Sequence, residues 1–262
     1  MNVTLYKTQL TLPYFTVNAL AFIPSDSDKS ARAVFSHGYT SNKVDCLPWA
    51  VRLSESGVPT IIFDWPGHYL GSFNEAESFS DFTAHAHELF GEAWNRLNDL
   101  IPVSSLASPT TAILGGHSLG ALMSIKALEL AQFKNLQTLS VAVGFGLNPT
   151  LSTATHVFET SFYQKTLSIR RQLVSLVLDP DVTFPWIKDE KMRLSPKGKR
   201  IHLITGADDL VVGAGGMEDM RRHFAELENN VTAFEPTKLP HHEPSSAGPH
   251  LFAFLKQELG WK

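Results

Sequence analysis

The sequence predicts an α/β fold, a mostly parallel central sheet flanked by helices. Two observations carry that expectation. Short apolar runs rich in Val, Ile and Phe recur along the chain, and longer segments with apolar residues three and four apart separate them. A third observation adds a small helical cap insertion. The interval Pro149 to Lys199 is too long for a simple crossover and holds helical patterns of its own, such as Ser168 to Leu178.

In chain order, Thr4 to Leu10 and Val17 to Ile23 read as strands of an antiparallel hairpin, followed by a strand at Ala31 to Ser36 and a helix at Val44 to Ser56. A strand at Thr60 to Asp64 and a helix at Ser80 to Asn98 lead through a Pro- and Ser-containing loop, Pro102 to Pro109, into a strand at Thr110 to Leu114. The helix Leu119 to Phe133 carries the stripe Leu119, Leu122, Met123, Ala127 and Leu130, which core packing explains in full. A strand at Leu139 to Phe145 precedes the insertion. After it come strands at Arg200 to Thr205 and Val231 to Glu235, and helices at Gly216 to Leu227 and Pro249 to Leu259. The expected division is a core formed by residues 1–148 and 200–262 with a cap at 149–199.

Composition narrows the function. A chain of 262 residues, 43% hydrophobic and 18% charged, has the make-up of an ordinary globular protein. With 22 basic against 26 acidic residues it offers no positive field for nucleic acid or an anionic membrane, so a small or neutral partner is expected. Cys46 is the only cysteine, which leaves no internal disulfide. The opening MNVTLYKTQLTLPYF lacks the basic start and unbroken apolar core of a signal peptide, so the expected location is cytoplasmic. The apolar stretch around Val141 to Leu147 falls far short of the roughly 20 residues that span a bilayer.

The chemistry centres on one turn. The strand Thr110 to Leu114 runs into Gly115, Gly116, His117, Ser118, Leu119 and Gly120 and then directly into a helix, which is G-x-S-x-G between a strand and a helix. Such a turn is so tight that the serine is held strained and exposed, and glycine two residues to either side leaves room for neighbouring backbone. The helix N-terminus beneath the serine offers unpaired N–H groups to negative charge developing on a substrate oxygen.

With that motif in its context, the chain resembles the α/β-hydrolase family over nearly its whole length. The resemblance implies the α/β-hydrolase fold with Ser118 as nucleophile. His37, Gly38 and Tyr39, after the strand Ala31 to Ser36, resemble the family's H-G-x loop, which makes the Tyr39 and Leu119 N–H groups the two oxyanion-hole donors. Asp64, Trp65, Pro66, Gly67 and His68, then Gly71 and Ser72, resemble a D-x-x-G-x-G-x-S stretch with one extra residue before the last pair, and read as scaffold. Gly206 to Val212 is similar to the family's G-x-x-D-x-x-V, which assigns the orienting carboxylate to Asp209, with Asp208 as its competitor. The general base follows the acid in this family, so His241, His242 and His250 are candidates. His242, Glu243 and Pro244 match the family's histidine with proline two later, and His242 is favoured over His241; His250 begins the final helix.

The expected function is hydrolysis of a carboxylic ester through a Ser118, His242, Asp209 triad and an acyl-enzyme, with a small-molecule ester as partner, no cofactor, and a monomer or homodimer as the assembly. Thioester and amide or peptide substrates use the same machinery and stay open, as does a non-catalytic, ligand-binding member of the fold. Serine in place of aspartate argues against the dehalogenase and epoxide-hydrolase branches. A metal site at His85 and His87, or at His241 and His242, is disfavoured, because residues two apart on a helix face different ways and no paired-ligand motif accompanies them. The apolar Phe158, Phe162, Tyr163, Leu167, Leu173, Val174, Leu176 and Val177 suit either a lid over a hydrophobic group or simple docking of the cap. Arg170 and Arg171 read as a carboxylate contact or as a solvated helix face.

Overall fold

Paired strands build one sheet. In a computed structural model the described residues are 2–26, 29–102, 107–147 and 161–261. Among them, β1 (Val3–Leu12), β2 (Phe15–Pro24), β3 (Ala31–Ser36), β4 (Thr60–Phe63), β5 (Thr111–His117), β6 (Gln137–Val143), β7 (Arg200–Ile204) and β8 (Asn230–Phe234) form one eight-stranded sheet in the order β1-β2-β4-β3-β5-β6-β7-β8. The hairpin β1–β2 and the β2–β4 pair are antiparallel, and every pair from β4 to β8 is parallel. The fold class expected from the strand rhythm is the one observed.

Successive residues of the central strands enter two separate cores. Val34, Ile61, Phe63, Ala112 and Leu114 pack on one face with α3 (Leu89–Leu100), α4 (Leu119–Ala127) and α7 (Gly216–Glu226). Ala33, Phe35, Ile62 and Ile113 pack on the other with α1 (Leu47–Glu55) and α8 (Gly248–Glu258). Helices on both faces bury the inner strands completely, which is why those strands read as continuous apolar runs. Helix α4 is buried on nearly all sides, and its charged Lys126 is paired with Glu190 at 2.5 Å.

Two expected helices are interrupted. The segment Ser80 to Asn98 divides into α2 (Phe79–His85), a 3₁₀ turn at Ala86–Glu88 and α3, while the helix expected to reach Phe133 stops at Ala127 and resumes as a 3₁₀ turn at Ala131–Phe133. In the crossover from β6 to β7, the described part holds α5 (Ser161–Gln172), a 3₁₀ turn at Leu176–Leu178, and α6 (Pro180–Arg193). The start of the expected cap, with Phe158, lies outside the described residues, as does the side chain of Phe162.

Strand order fixes where a ligand can bind. The chain steps from β3 to β4 on one side and then passes back over β3 to reach β5 on the other. The carboxyl ends of β3 and β5 therefore diverge into loops on opposite faces, and the crevice at such a reversal is where open α/β sheets hold ligands. Among the described residues no helix is long and apolar enough to cross a membrane.

Candidate active site

Ser118 stands at the carboxyl end of β5, with φ 51° and ψ −106°, a conformation that L-residues avoid and that a sharp strand-to-helix bend enforces. The flanking glycines are required by contact. A Cβ on either Gly116 or Gly120 would collide with the Ser36 carbonyl oxygen at the end of β3. The bend is anchored by Ser118 N–H to Val143 O (2.9 Å) and by Leu122 N–H to Ser118 O (3.0 Å). Close backbone approach of β3 and β5 thus forces the serine outward.

The same approach brings the loop after β3 to the serine. A Cβ on Gly38 would lie 2.6 Å from His117 Nδ1 and 3.5 Å from Ser118 Cβ, so Gly38 passes directly beside the bend. Neither Tyr39 N–H nor Leu119 N–H donates to a protein acceptor among the described residues. Tyr39 is fixed by its side chain: its hydroxyl donates to Leu178 O (2.5 Å), and its ring packs edge-on against His68 and Phe184. Thr40, next in the chain, has φ 61°, an unusual value for a β-branched residue.

Behind this loop lies a buried polar clasp. His37 is fully buried; its Nε2 accepts from Trp65 N–H (3.1 Å), so its Nδ1 carries the hydrogen and donates to Gly38 O (2.8 Å). Burial holds the ring neutral, with a pKa pushed down to about 3. Asp64, also fully buried, accepts from Lys43 N–H (2.9 Å) and Lys43 Nζ (2.5 Å). A Cβ on Gly71 would strike the Asp64 carboxylate, which explains the second glycine of the Asp64 to Ser72 stretch. These residues shape the loop from beneath and do not line the cavity.

Across the cavity, the loops after β7 and β8 bring Asp209 and a histidine together. Asp209 Oδ1 accepts from Val211 N–H and Val212 N–H (both 2.9 Å), and Oδ2 accepts from His241 Nδ1 (2.8 Å). Burial would raise this carboxyl, but the His241 hydrogen bond and charge together with the two backbone donors hold it below the ordinary carboxylate value. A carboxylate only accepts, so His241 is protonated at Nδ1 and its Nε2 keeps a lone pair. Asp208 has another task, since its Oδ1 accepts from Leu239 N–H (2.8 Å) and pins the loop that carries the histidines.

The expectation of His242 as the partner of Asp209 is corrected by this geometry. His241 and His242 are the central residues of a turn closed by Glu243 N–H to Pro240 O (3.0 Å), so their side chains diverge, with rings 6.5 Å apart at 77°. With Leu239 pinned by Asp208, His241 is the one that faces Asp209, and His242 lines the cavity without joining the carboxylate. His250 lies in α8 against Phe234, away from this pair.

Ser118, His117, His241 and His242 line one cavity of about 880 Å³, together with Tyr39 and Thr40 and with side chains of α5 and α6 from the β6–β7 crossover. His117 is buried with its ring 4.6 Å from that of His241; neither of its nitrogens makes a well-formed hydrogen bond, although the His241 backbone is close. Burial, then the neighbouring His241, keeps it uncharged. Sequence reading attached no role to His117, Thr40 or Lys191, and only the preference for G-x-S-x-G itself pointed near them. Among the described residues no three His, Cys, Asp or Glu side chains converge as metal ligands. His85 instead pairs with Glu88 and stacks on Tyr14.

Comparison with known proteins agrees with this architecture. Residues 33–252 match a family model described as an alpha/beta hydrolase family. A lipase in an open form has 15% identity and a TM-score of 0.63, over 97% of this chain and 99% of that one. A Pyrococcus furiosus esterase has 17% identity and a TM-score of 0.63, over 97% and 93%. E-2-(Acetamidomethylene)succinate hydrolase has 18% identity and a TM-score of 0.58, over 97% and 98%. At these identities the likeness is one of fold. A search of curated protein sequences finds no significant match.

Proposed function

The chain belongs to the alpha/beta hydrolase family, and from that premise we propose that it is a serine hydrolase cleaving carboxylic esters through Ser118, His241 and Asp209. The observation that supports this most is the joint placement of a strained Ser118 and a carboxylate-oriented His241 on one cavity. The proposed partner is a small-molecule ester.

In this reading Ser118 Oγ attacks the ester carbonyl carbon as His241 Nε2 takes its proton. Asp209 keeps the imidazole in the Nδ1–H tautomer and stabilises the imidazolium that forms. Negative charge on the former carbonyl oxygen is met by the Tyr39 and Leu119 N–H groups, which have no competing protein acceptor among the described residues. Collapse expels the alcohol with the proton from His241 and leaves an acyl-serine. Water then attacks the acyl carbon as His241 takes its proton, and collapse releases the acid while His241 returns the proton to Ser118 Oγ. Buried, neutral His117 beside His241 adds no second positive charge when the imidazolium forms.

A series of p-nitrophenyl esters of increasing acyl length tests the reading. The parent protein is expected to hydrolyse at least the short esters, and Ser118→Ala to lose nearly all turnover. Full turnover by Ser118→Ala would place the nucleophile elsewhere.

A further inference from the structure

Several cationic side chains have carboxylate partners: Lys43 with Asp64, Lys126 with Glu190, Arg171 with Asp179 and Asp181, and Arg221 with Glu218. Three on the walls of the Ser118 cavity, Arg170, Lys188 and Lys191, form no ion pair among the described residues, and of these Lys188 is exposed while Arg170 and Lys191 are half-buried. Arg170, on α5, donates from Nη1 to Thr40 Oγ1 (2.7 Å) and has a buried Nε with no acceptor. Lys191, on α6, donates from Nζ to Gly146 O (2.8 Å) and sits 5.1 Å from the centre of the Phe145 ring. Neither forms an ion pair among the described residues.

A cation removed from water without a counter-charge costs free energy, and burial has already pushed the Lys191 pKa down to about 8. Asp209, outside the cavity lining, attracts Lys191 through space but forms no ion pair with it, and the acids on the cavity wall pair with neither cation. Asp45 accepts from Ser41 Oγ (2.5 Å), and Asp189, beside Lys188, is exposed. Position adds a second argument. Thr40, which holds Arg170, directly follows Tyr39, and Lys191 is bonded to the loop after β6, on the side that carries Asp209. Both cations line the cavity that Ser118 also lines.

Resting on the reading of Ser118 as an esterolytic nucleophile, we propose that the cavity takes an ester whose acyl or alcohol portion carries a carboxylate, bound by Arg170 and Lys191. The guanidinium of Arg170, hydrogen-bonded only to Thr40 among the described residues, has donors left for a carboxylate in the cavity. Lys191 contributes a point charge with donors to spare. Arg171, one residue on, is consumed by Asp179 and Asp181 at the surface and takes no part, which separates two neighbours that the sequence left alike.

Two matched pairs of substrates test this: mono-p-nitrophenyl adipate against p-nitrophenyl heptanoate for the acyl side, and 4-acetoxybenzoate against 4-acetoxybenzamide for the alcohol side. In at least one pair the charged member is expected to have a kcat/KM at least tenfold higher. That ratio falls tenfold or more in Arg170→Met and in Lys191→Met, is partly restored in Arg170→Lys, and is unchanged in Arg171→Met. Adipate titrated into Ser118→Ala by calorimetry reads the same subsite without catalysis, with binding lost in the Arg170→Met double variant. A ratio near one in both pairs with no adipate binding would overturn the proposal, as would a ratio indifferent to Arg170 and Lys191. Fluorophosphonate labelling of each variant reports separately on Ser118, so a failure of the hydrolase reading shows as absent labelling and leaves the adipate titration interpretable.

Discussion

Two histidine–carboxylate pairs stand at the carboxyl edge of the sheet, and they are built to opposite ends. His37 lies 3.8 Å from Asp64, both side chains fully buried, and both of its ring nitrogens are taken by backbone groups of Gly38 and Trp65. His241 lies 2.8 Å from Asp209, keeps 12% of its side chain exposed, and commits only Nδ1. The first pair has no lone pair to offer and serves as a clasp under the loop of Tyr39. The second presents one nitrogen to a cavity that Ser118 also lines. Residue type is shared, and what satisfies the second nitrogen decides what each ring can do.

The largest effect expected to sharpen this contrast is on turnover. His241→Ala lowers kcat on p-nitrophenyl acetate by on the order of 10⁴-fold, and Asp209→Asn does so by a similar factor through the wrong tautomer. His242→Ala stays within about tenfold of the parent. Equal losses in His241→Ala and His242→Ala would break the distinction.

The clasp fails in stability instead. Asp64→Asn leaves the Lys43 ammonium facing an uncharged amide in a buried site and is expected to lower unfolding free energy by about 3 kcal/mol, measured by urea denaturation. Replacing His37 by Leu orphans Trp65 N–H at about 1–3 kcal/mol. A loss of activity without loss of stability in either would move the clasp into the chemistry.

Acid should lower stability through the buried histidines before it does so through Asp209. His37 and His68 are buried neutral with pKa values pushed down to about 3, mainly by burial. A histidine whose folded pKa lies below its unfolded value of about 6.5 gives full stability above pH 6.5 and loses it as pH falls toward 3, at up to about 1.4 kcal/mol per pH unit for each group. Asp209, held below its ordinary value, gives stability that is complete above about pH 4 and is lost only below that. Melting temperature is therefore expected to fall steadily between pH 6.5 and 4.5, and a flat profile would contradict the neutral, buried rings. The smallest effect is at the surface: Arg171→Met is expected to leave the urea midpoint close to that of the parent, because Arg171 itself is solvent-exposed.

The sheet and the bend at Ser118 were legible because periodicity and glycine spacing are local. Ala31–Ser36 was bounded correctly from its apolar run, and the glycines flanking Ser118 carried their own explanation in the approach of Ser36 O. Asp209 was singled out by the resemblance of Gly206 to Val212 to a family pattern, in a short loop directly after β7, and its carboxylate accepts from His241. The choice between His241 and His242 was not legible, since it depends on which way each ring leaves a turn pinned by Asp208, some thirty residues earlier in the chain. Lys191 was invisible because an amphipathic helix full of charge gives no sign of which lysine turns inward. The 3₁₀ breaks within two expected helices were equally hidden, as apolar spacing survives a change of helical pitch over a single turn.

The most direct test is covalent. Parent, His241→Ala and His242→Ala proteins are treated with a fluorophosphonate probe, and the modified residue is located by peptide mass spectrometry. The expected result is rapid adduct formation on Ser118 in the parent and in His242→Ala, and labelling slowed at least a hundredfold in His241→Ala. An adduct on another residue, or undiminished labelling of His241→Ala, would contradict a nucleophile at the β5 bend activated by the histidine that Asp209 holds.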